Sequence, residues 1–323
     1  MQLERYTENH FKLWNRIVGE SRNSTFFFNR NYLDYHKHLF HDHSLIVFDQ
    51  SKPIALLPAN EINTAIYSHA GLTYGGLLLL PEIKLIKTLA IFFKVLKYYF
   101  DFGYDELIYK PVPSFYHQIK TDEDLYALFL VKGELFRRDT GFVIDLKSPL
   151  PYQERRKRSI VKAAKQGLEI KKTETFDEFW TQVLEPNLFS RFGVKPVHSV
   201  EQITQLKEKN PGNIVQYNIY WQEMIVGGCT LFINQNAVHA QYISSTEEGK
   251  QIGALDFLFD YLIKKEFSGF KYFSFGISNE NNGLDINEGL TEWKESFGAR
   301  AWIHDFYKIN TSNYYLLEKY DRQ

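Results

Sequence analysis

The sequence predicts an α/β protein made of two tandem domains, each a mixed sheet flanked by helices. Three observations predict it. The chain has 323 residues, and at roughly 150 residues per domain that is two domains' worth. The second half reads hairpin, strand, helix, strand, helix, strand, an order that a mixed sheet with flanking helices satisfies. The two halves also rhyme. SLIVFD, a polar turn and PIALLPANE in the first match NIVQYNIYW, a turn and MIVGGCTLF in the second. Gly103 closes a helix before ELIYK as Gly269 closes one before KYFSF.

Taken in order, an amphipathic helix is expected from Tyr6 to Val18, and an aromatic helix from Phe26 to Phe40 behind the cap candidates Asn29 and Asn31. SLIVFD and PIALLPANEI flank Gln50, Ser51 and Lys52, which reads as a hairpin. Residues 84–100 read as a buried helix with Lys84, Lys87, Lys94 and Lys97 on its wet side, and ELIYK and FVIDL as strands. KSPLP, residues 147–151, carries two prolines and reads as a linker, which sets the domains at 1–146 and 152–323. Then come a basic helix, ERRKRSIVKAAKQG, and helices near Phe176–Leu188 and Val200–Lys209. A second hairpin turns at Gln222 and Glu223. Strand AVHAQYIS, helix GALDFLFDYLIKKEF, strand KYFSFGIS, helix GLTEWKESFG and strand ARAWIHDFYKI close the chain.

Composition excludes several classes. Charged residues are 24% and the hydrophobic set 44%, so disorder, collagen and coiled coil do not fit. Thirty-eight basic residues against 39 acidic ones leave a net charge of −1, so contact with a polyanion must be a local patch. Cys229 is the one cysteine, so no intrachain disulfide forms, which suits a reducing compartment. No signal-peptide core opens the chain, and the lysines of 84–100 interrupt the best membrane candidate; a cytoplasmic protein is expected. His36, His38, His41 and His43 in HKHLFHDH match no zinc signature, so no metal is expected.

The second half resembles the GNAT acyltransferase fold, through AVHAQYIS, a glycine-bearing loop, an apolar helix, KYFSFGIS and WKESFGAR. The tandem arrangement resembles the FemX/FemAB branch of that superfamily and its BioF2-like relatives. KRSIVKAAKQGLEI resembles the basic stretch ahead of their second domain, and GLTEWKESFGAR their late segment with an aromatic-Lys pair and Phe-Gly. The resemblance implies transfer of an acyl or aminoacyl group onto an amine. The donor it implies is acyl-CoA, its pyrophosphate held at the loop GKQIGALD by Lys250, Gly253 and Ala254, with Leu255 standing where the second small residue belongs. The implied acceptor is an amino group on a small molecule or a cell-envelope precursor such as an amino sugar. The alternatives are an aminoacyl-tRNA-dependent ligase that extends a peptidoglycan side chain, and a binding module without catalysis.

Residues then divide by role. Lys294 flanks the stripe Leu290, Trp293 and Phe297, and a positioned ammonium there stabilises the oxyanion formed when an amine attacks a carbonyl. The resemblance marks the same lysine as functional. His198 is a candidate general base, and Glu280, just past KYFSFGIS, is its rival. Ser199 reads as a helix cap. Arg155, Arg158, Lys162 and Lys165 share one helical stripe suited to a diphosphate of a nucleotide- or lipid-linked sugar, or to a tRNA backbone, with Val161, Ala164 and Leu168 facing the core. His69 and Tyr74, in the loop YSHAGLTYGG, are nominated by the resemblance as lining the acceptor site.

Overall fold

A computed structural model describes residues 1–321. The chain divides into two compact units. The first holds Met1–Asp139, Asn281–Leu284 and the residues from Ile303 onward; the second holds Thr140–Glu280 and Asp285–Trp302. The chain therefore changes unit inside two strands, Glu134–Asp145 and Arg300–Asn310. The cause is strand pairing. Tyr307–Asn310 pair antiparallel with Glu106–Tyr109, and the closing 3-10 helix Thr311–Tyr320 packs on the helix Leu85–Asp101, so the C-terminus belongs to the first unit.

The first unit opens with the strand Gln2–Arg5 and the helix Phe11–Glu20, whose Trp14, Ile17 and Val18 are buried at helical spacing. The expected hairpin forms between Leu45–Asp49 and Lys52–Leu57. Its turn residues Gln50 and Ser51 both take positive φ, 48° and 67°, which matches the twist of the flanking strands. Phe26–Phe40 is not one helix. It breaks into Phe26–Phe28, Arg30–Leu33 and Asp34–His36, with Asn29 extended between the first two. Phe26, Phe27 and Phe28 are all buried, and one helix cannot turn three consecutive residues to the same side. Leu85–Asp101 is the expected buried helix; Lys87, Lys94 and Lys97 pair outward with Asp49, Asp321 and Asp101. The strand Ala65–Tyr67 runs parallel to Glu106–Tyr109. The helix Glu123–Leu130 was not anticipated.

In the second unit Glu169–Thr173, Ile214–Trp221, Met224–Ile233 and Ala237–Ser245 form an antiparallel run. Tyr272–Ile277 then pairs parallel with Ala237–Ser245, and Gly141–Asp145 pairs antiparallel with Tyr272–Ile277. The second hairpin turns through Gln222 and Glu223 at φ 49° and 66°, so the rhyme between the halves extends to backbone geometry. Tyr217, Leu231, Val238, Leu258, Phe259, Phe273 and Phe297 centre the core. Cys229 is fully buried there and burial raises its thiol pKa, so it packs as a small apolar residue. No helix among the described residues is long and apolar enough to cross a membrane.

Candidate functional site

The site of interest lies in the second unit, where two parallel strands part. Ala237–Ser245 and Tyr272–Ile277 pair only through Ala237–Tyr272, Val238–Phe273 and His239–Ser274. Beyond these pairs the edges separate, and a gap between strand ends of an α/β sheet is where ligands bind. Gly276 adopts φ +71° at this point, and a Cβ there would stand 3.2 Å from the His239 ring. A cavity of about 490 Å³ is walled by Ser244 and Ser245 of the first strand, Asn187 of the helix Glu185–Phe192, and Leu290 and Trp293 of the helix Glu288–Glu295. Exposed Arg191 and Lys250 border it. Asn187 is pinned by donating to Ser244 Oγ and the Ser245 carbonyl, each at 2.7 Å.

Lys294 sits on that last helix, and its position differs from the sequence reading. Leu290, expected in the buried stripe, is 39% exposed, whereas Lys294, expected at the margin, is 2% exposed and is the buried residue of its helix. Its Nζ donates to the carbonyls of Gly276 at 3.1 Å and Ile277 at 2.6 Å, at the end of the parting strand. No carboxylate pairs with it among the described residues. Burial without a counter-charge pushes its pKa down to about 7. His239 stands close enough that burial and the Lys294 charge together hold its pKa at about 4, and its Nδ1 lies 3.1 Å from Ser274 Oγ.

The loop GKQIGALD folds as two short helices that meet at Gly253. Lys250 lies on the short helix Glu247–Ile252 and pairs with Glu247. Thr246 caps that helix, and Glu247 and Glu248 fill its first turn, where a second anion is repelled. Gly253 takes φ +75° between this helix and Ala254–Tyr261, and its amide already donates to the Lys250 carbonyl. Its bare Cα face is covered: a Cβ would meet Ser159 Oγ at 3.1 Å and Ala163 Cβ at 3.4 Å. Ala254 is buried. The first turn of Ala254–Tyr261 carries its own anion, Asp256. That carboxylate is ion-paired with Arg156, accepts from Ser159 Oγ at 2.5 Å and from Trp293 Nε1 at 3.0 Å.

The basic helix, Glu154–Ala163, explains the covering. Its inner face is Arg156, Ser159, Ile160 and Ala163; Val161 is 58% exposed and Ala164 is exposed, against expectation, while Leu168 beyond the helix packs on the core as expected. The Arg156–Asp256 pair and the Arg156 Nε bond to Ser296 Oγ, 2.8 Å, turn an arginine inward. Arg155 is spent on Glu292 at 3.1 Å. Arg158, Lys162 and Lys165 are exposed and make no ion pair among the described residues; Lys165 lies in the turn after the helix.

The other nominated residues scatter. His198 is buried, its Nδ1 2.5 Å from the Tyr242 hydroxyl, and burial lowers its pKa to about 4, which makes it a packing partner of Tyr242 and a weak base. Ser199 caps Val200–Lys209 as expected. Glu280 is exposed and accepts from Asn287 Nδ2 at 3.0 Å, a bond that ties the hairpin Asn279–Ile286 to the start of the Lys294 helix. Tyr74 is 2% exposed and enclosed by Phe27 and Tyr116. His69 borders a small cavity of about 220 Å³ and holds φ +65°. His43 bonds Glu61 at 2.9 Å and His41 is exposed; the side chain of His36 lies outside the described residues. Among the described residues no three His, Cys, Asp or Glu side chains gather for a metal. Sequence reasoning missed Arg156, Asp256 and His239, because each looks like an ordinary surface or strand residue until its partner element is placed.

No protein-family model matches the chain, and no curated protein matches it in sequence. Solved structures do match. FemX superposes at TM-score 0.67 with 10% identity, over 98% of this chain and 99% of that one. L-PGS from Bacillus licheniformis gives 0.61 with 12% identity, over 99% of each chain. A tandem GNAT protein from the clavulanic acid biosynthesis pathway gives 0.50 with 8% identity, over 96% and 99%. At these identities the likeness shows the fold: a GNAT-like, Fem-type α/β chain.

Proposed function

We propose that this chain transfers an acyl or aminoacyl group onto an amine, and that the donor is an aminoacyl ester of tRNA. The observation that carries the transfer reading is Lys294, an ammonium buried with no counter-ion among the described residues, where the parallel strands part. An amine attacking an ester carbonyl forms a C–N bond, and the carbonyl oxygen takes the negative charge. Collapse breaks the C–O bond, and the proton lost by the amine leaves on the ribose hydroxyl. The Lys294 ammonium donates to the oxyanion, in surroundings dry enough to magnify the effect. A pKa near 7 leaves about half of it charged at neutral pH.

The donor follows from charge. The two helix starts along residues 246–256 are already neutralised by Glu247, Glu248 and Asp256, which disfavours a coenzyme A diphosphate there. Arg158, Lys162 and Lys165, exposed and without an ion pair among the described residues, suit an RNA backbone. The fold, shared with FemX and with a lysylphosphatidylglycerol synthetase C-terminal domain, supports the transfer reading. A second reading, acyl-CoA as donor, keeps one support: Lys250 and Arg191 border the cavity and could take a phosphate. The acceptor amine is placed on a cell-envelope precursor, in keeping with the sequence resemblance.

Melting curves with uncharged tRNA and with coenzyme A separate the donors, because a ligand of the native state raises Tm. A rise with tRNA and none with coenzyme A supports the proposal. A rise with coenzyme A alone overturns the donor assignment.

A further inference from the structure

The second unit holds a cavity that the proposed chemistry does not use. It measures about 600 Å³ and shares no wall residue with the cavity beside Lys294. That size falls within the range of small-molecule sites, about 300–1,000 Å³. Ile144, Leu150, Tyr152, Ile263 and Phe297 supply its apolar wall. Leu150 is 43% exposed and marks the rim, while the other four are buried in the core.

The backbone holds the cavity open. Residues 146–153 border it as a strap fastened at both ends. The Leu146 amide donates to the Lys271 carbonyl at 2.8 Å, and the Gln153 amide to the Ser296 carbonyl at 3.0 Å. Between these points Pro149 and Pro151, which also wall the cavity, have no N–H and a fixed φ, so the strap cannot zip onto a strand. Gly298, at φ +85°, lets the strap come close, since a Cβ there would stand 2.6 Å from the Leu150 carbonyl oxygen. Ile263 and Lys264 enter the wall from the π-helical turn Leu262–Glu266. The other π turn among the described residues, Trp180–Leu184, gives Leu184 to the cavity beside Lys294. Such turns recur at functional sites.

The charge on the wall is one-sided. Lys157 and Lys264 line the cavity, and no carboxylate does. Lys157 pairs with Glu154 at 2.7 Å and Lys264 with Asp260 at 2.6 Å, and both lysines are half-exposed. An ammonium has three N–H donors, so one such pair leaves each lysine able to meet an anion as well. Lys264 Nζ lies 4.2 Å from the centre of the Tyr152 ring, which sets its charge against the apolar wall. The Tyr152 hydroxyl is buried and has no hydrogen-bond partner. Burial pushes its pKa up, so it stays a donor, and an incoming acceptor relieves the cost of burying it.

We propose that this cavity binds an anionic amphiphile of the fatty-acid type, with its aliphatic chain against Ile144, Ile263 and Phe297 and its carboxylate at Lys157 and Lys264. The apolar wall selects the chain, and the two lysines select the sign of the head. The site uses neither Lys294 nor the transfer donor, so it stands apart from the transfer reading.

Isothermal titration calorimetry on the full chain tests it. The probes are sodium decanoate, decyltrimethylammonium and sodium acetate, below micelle formation and at equal ionic strength. Decanoate is expected to bind at least about tenfold more tightly than decyltrimethylammonium, and acetate without its chain is expected to show no binding. Leu150→Trp places bulk at the rim and is expected to weaken decanoate at least about tenfold. Tyr152→Phe is expected to weaken it about threefold, the effect of one hydrogen bond. Changing Lys157 and Lys264 together to Gln is expected to remove the preference for the anion. No saturable decanoate binding to wild type overturns the site, as does unchanged affinity in Leu150→Trp. Equal affinities for the two decyl probes overturn the anion assignment. A dimer in sedimentation that Leu150→Trp disrupts would put a second copy of this chain in the cavity and overturn the ligand. No transfer assay enters, so a failed donor experiment leaves this result standing.

Discussion

Lys294 in the second unit and Lys110 in the first solve the same problem with the same parts. Each buries an ammonium, rests it on two main-chain carbonyls, lacks a carboxylate partner among the described residues, and has its pKa pushed down to about 7 by burial. In each unit burial, helped by the lysine charge, holds a histidine at a pKa of about 4. They differ in what the lysine is attached to. Lys294 rides a helix whose Trp293 walls an open cavity, and its carbonyls end a strand that has parted from its neighbour. Lys110 follows the strand Glu106–Tyr109, and its carbonyls, those of His69 and Leu72, belong to a loop that it binds with its own backbone as well. The first lysine rides a helix that borders a cavity; the second fixes a loop. Arg156 is the control within the same molecule: a buried cation that does have its carboxylate, Asp256.

The largest structural effect should come from breaking that control. Asp256→Asn leaves Arg156 buried without its counter-charge, and about 3–5 kcal/mol of stability should be lost. Urea unfolding measures it. A loss under 1 kcal/mol would mean that Arg156 finds water, and that compensated and uncompensated cations in this protein do not differ.

A smaller effect sharpens the likeness of the two lysines. Each folded-state pKa, about 7, lies below the unfolded value of 10.5. Between these values the unfolded chain binds more protons, so stability rises with pH. The gain is about 1.4 kcal/mol per pH unit for each lysine within that window, and neither contributes a slope well below pH 7. Unfolding between pH 7.5 and 9 should show a steeper rise in wild type than in Lys294→Met or Lys110→Met. Parallel curves for wild type and either variant would show that lysine to be solvated.

The smallest effect concerns a surface. Changing Arg158 and Lys162 together to Gln should leave Tm within a degree or two, weaken tRNA binding severalfold, and reduce its salt dependence by up to two charges' worth. Filter binding across a salt series checks this. An unchanged slope leaves the stripe as a solvated face.

Much of the fold was legible because its signals are local. Both hairpins announce themselves as apolar runs around short polar turns, and both turns are left-handed pairs. The Lys294 helix and the basic helix were legible as helices. Their facing was not. Periodicity put Val161 inward and Lys294 at a margin; the Arg156–Asp256 pair and the open carbonyls of Gly276 and Ile277 reverse both, and these partners lie about 100 and 17 residues away in sequence. Lys110 was unreadable for the same reason, since a lysine after ELIY looks like any strand end. Gly253 was noticed for its type, but its function is to admit Ser159 and Ala163 of a crossing helix. The place of the last strand was not legible, because its pairing with Glu106–Tyr109, about 200 residues earlier in the chain, is not a local signal.

Transfer turns on Lys294, and Lys294→Met tests its role. Met keeps the length and helix propensity, removes the charge and vacates two carbonyls. Melting temperature and aminoacyl transfer from charged tRNA to an amine acceptor should be measured on one preparation. The melting temperature should hold within a few degrees and turnover should fall about a hundred- to a thousandfold, the usual cost of one oxyanion donor. A held melting temperature with turnover within a few-fold of wild type would contradict it.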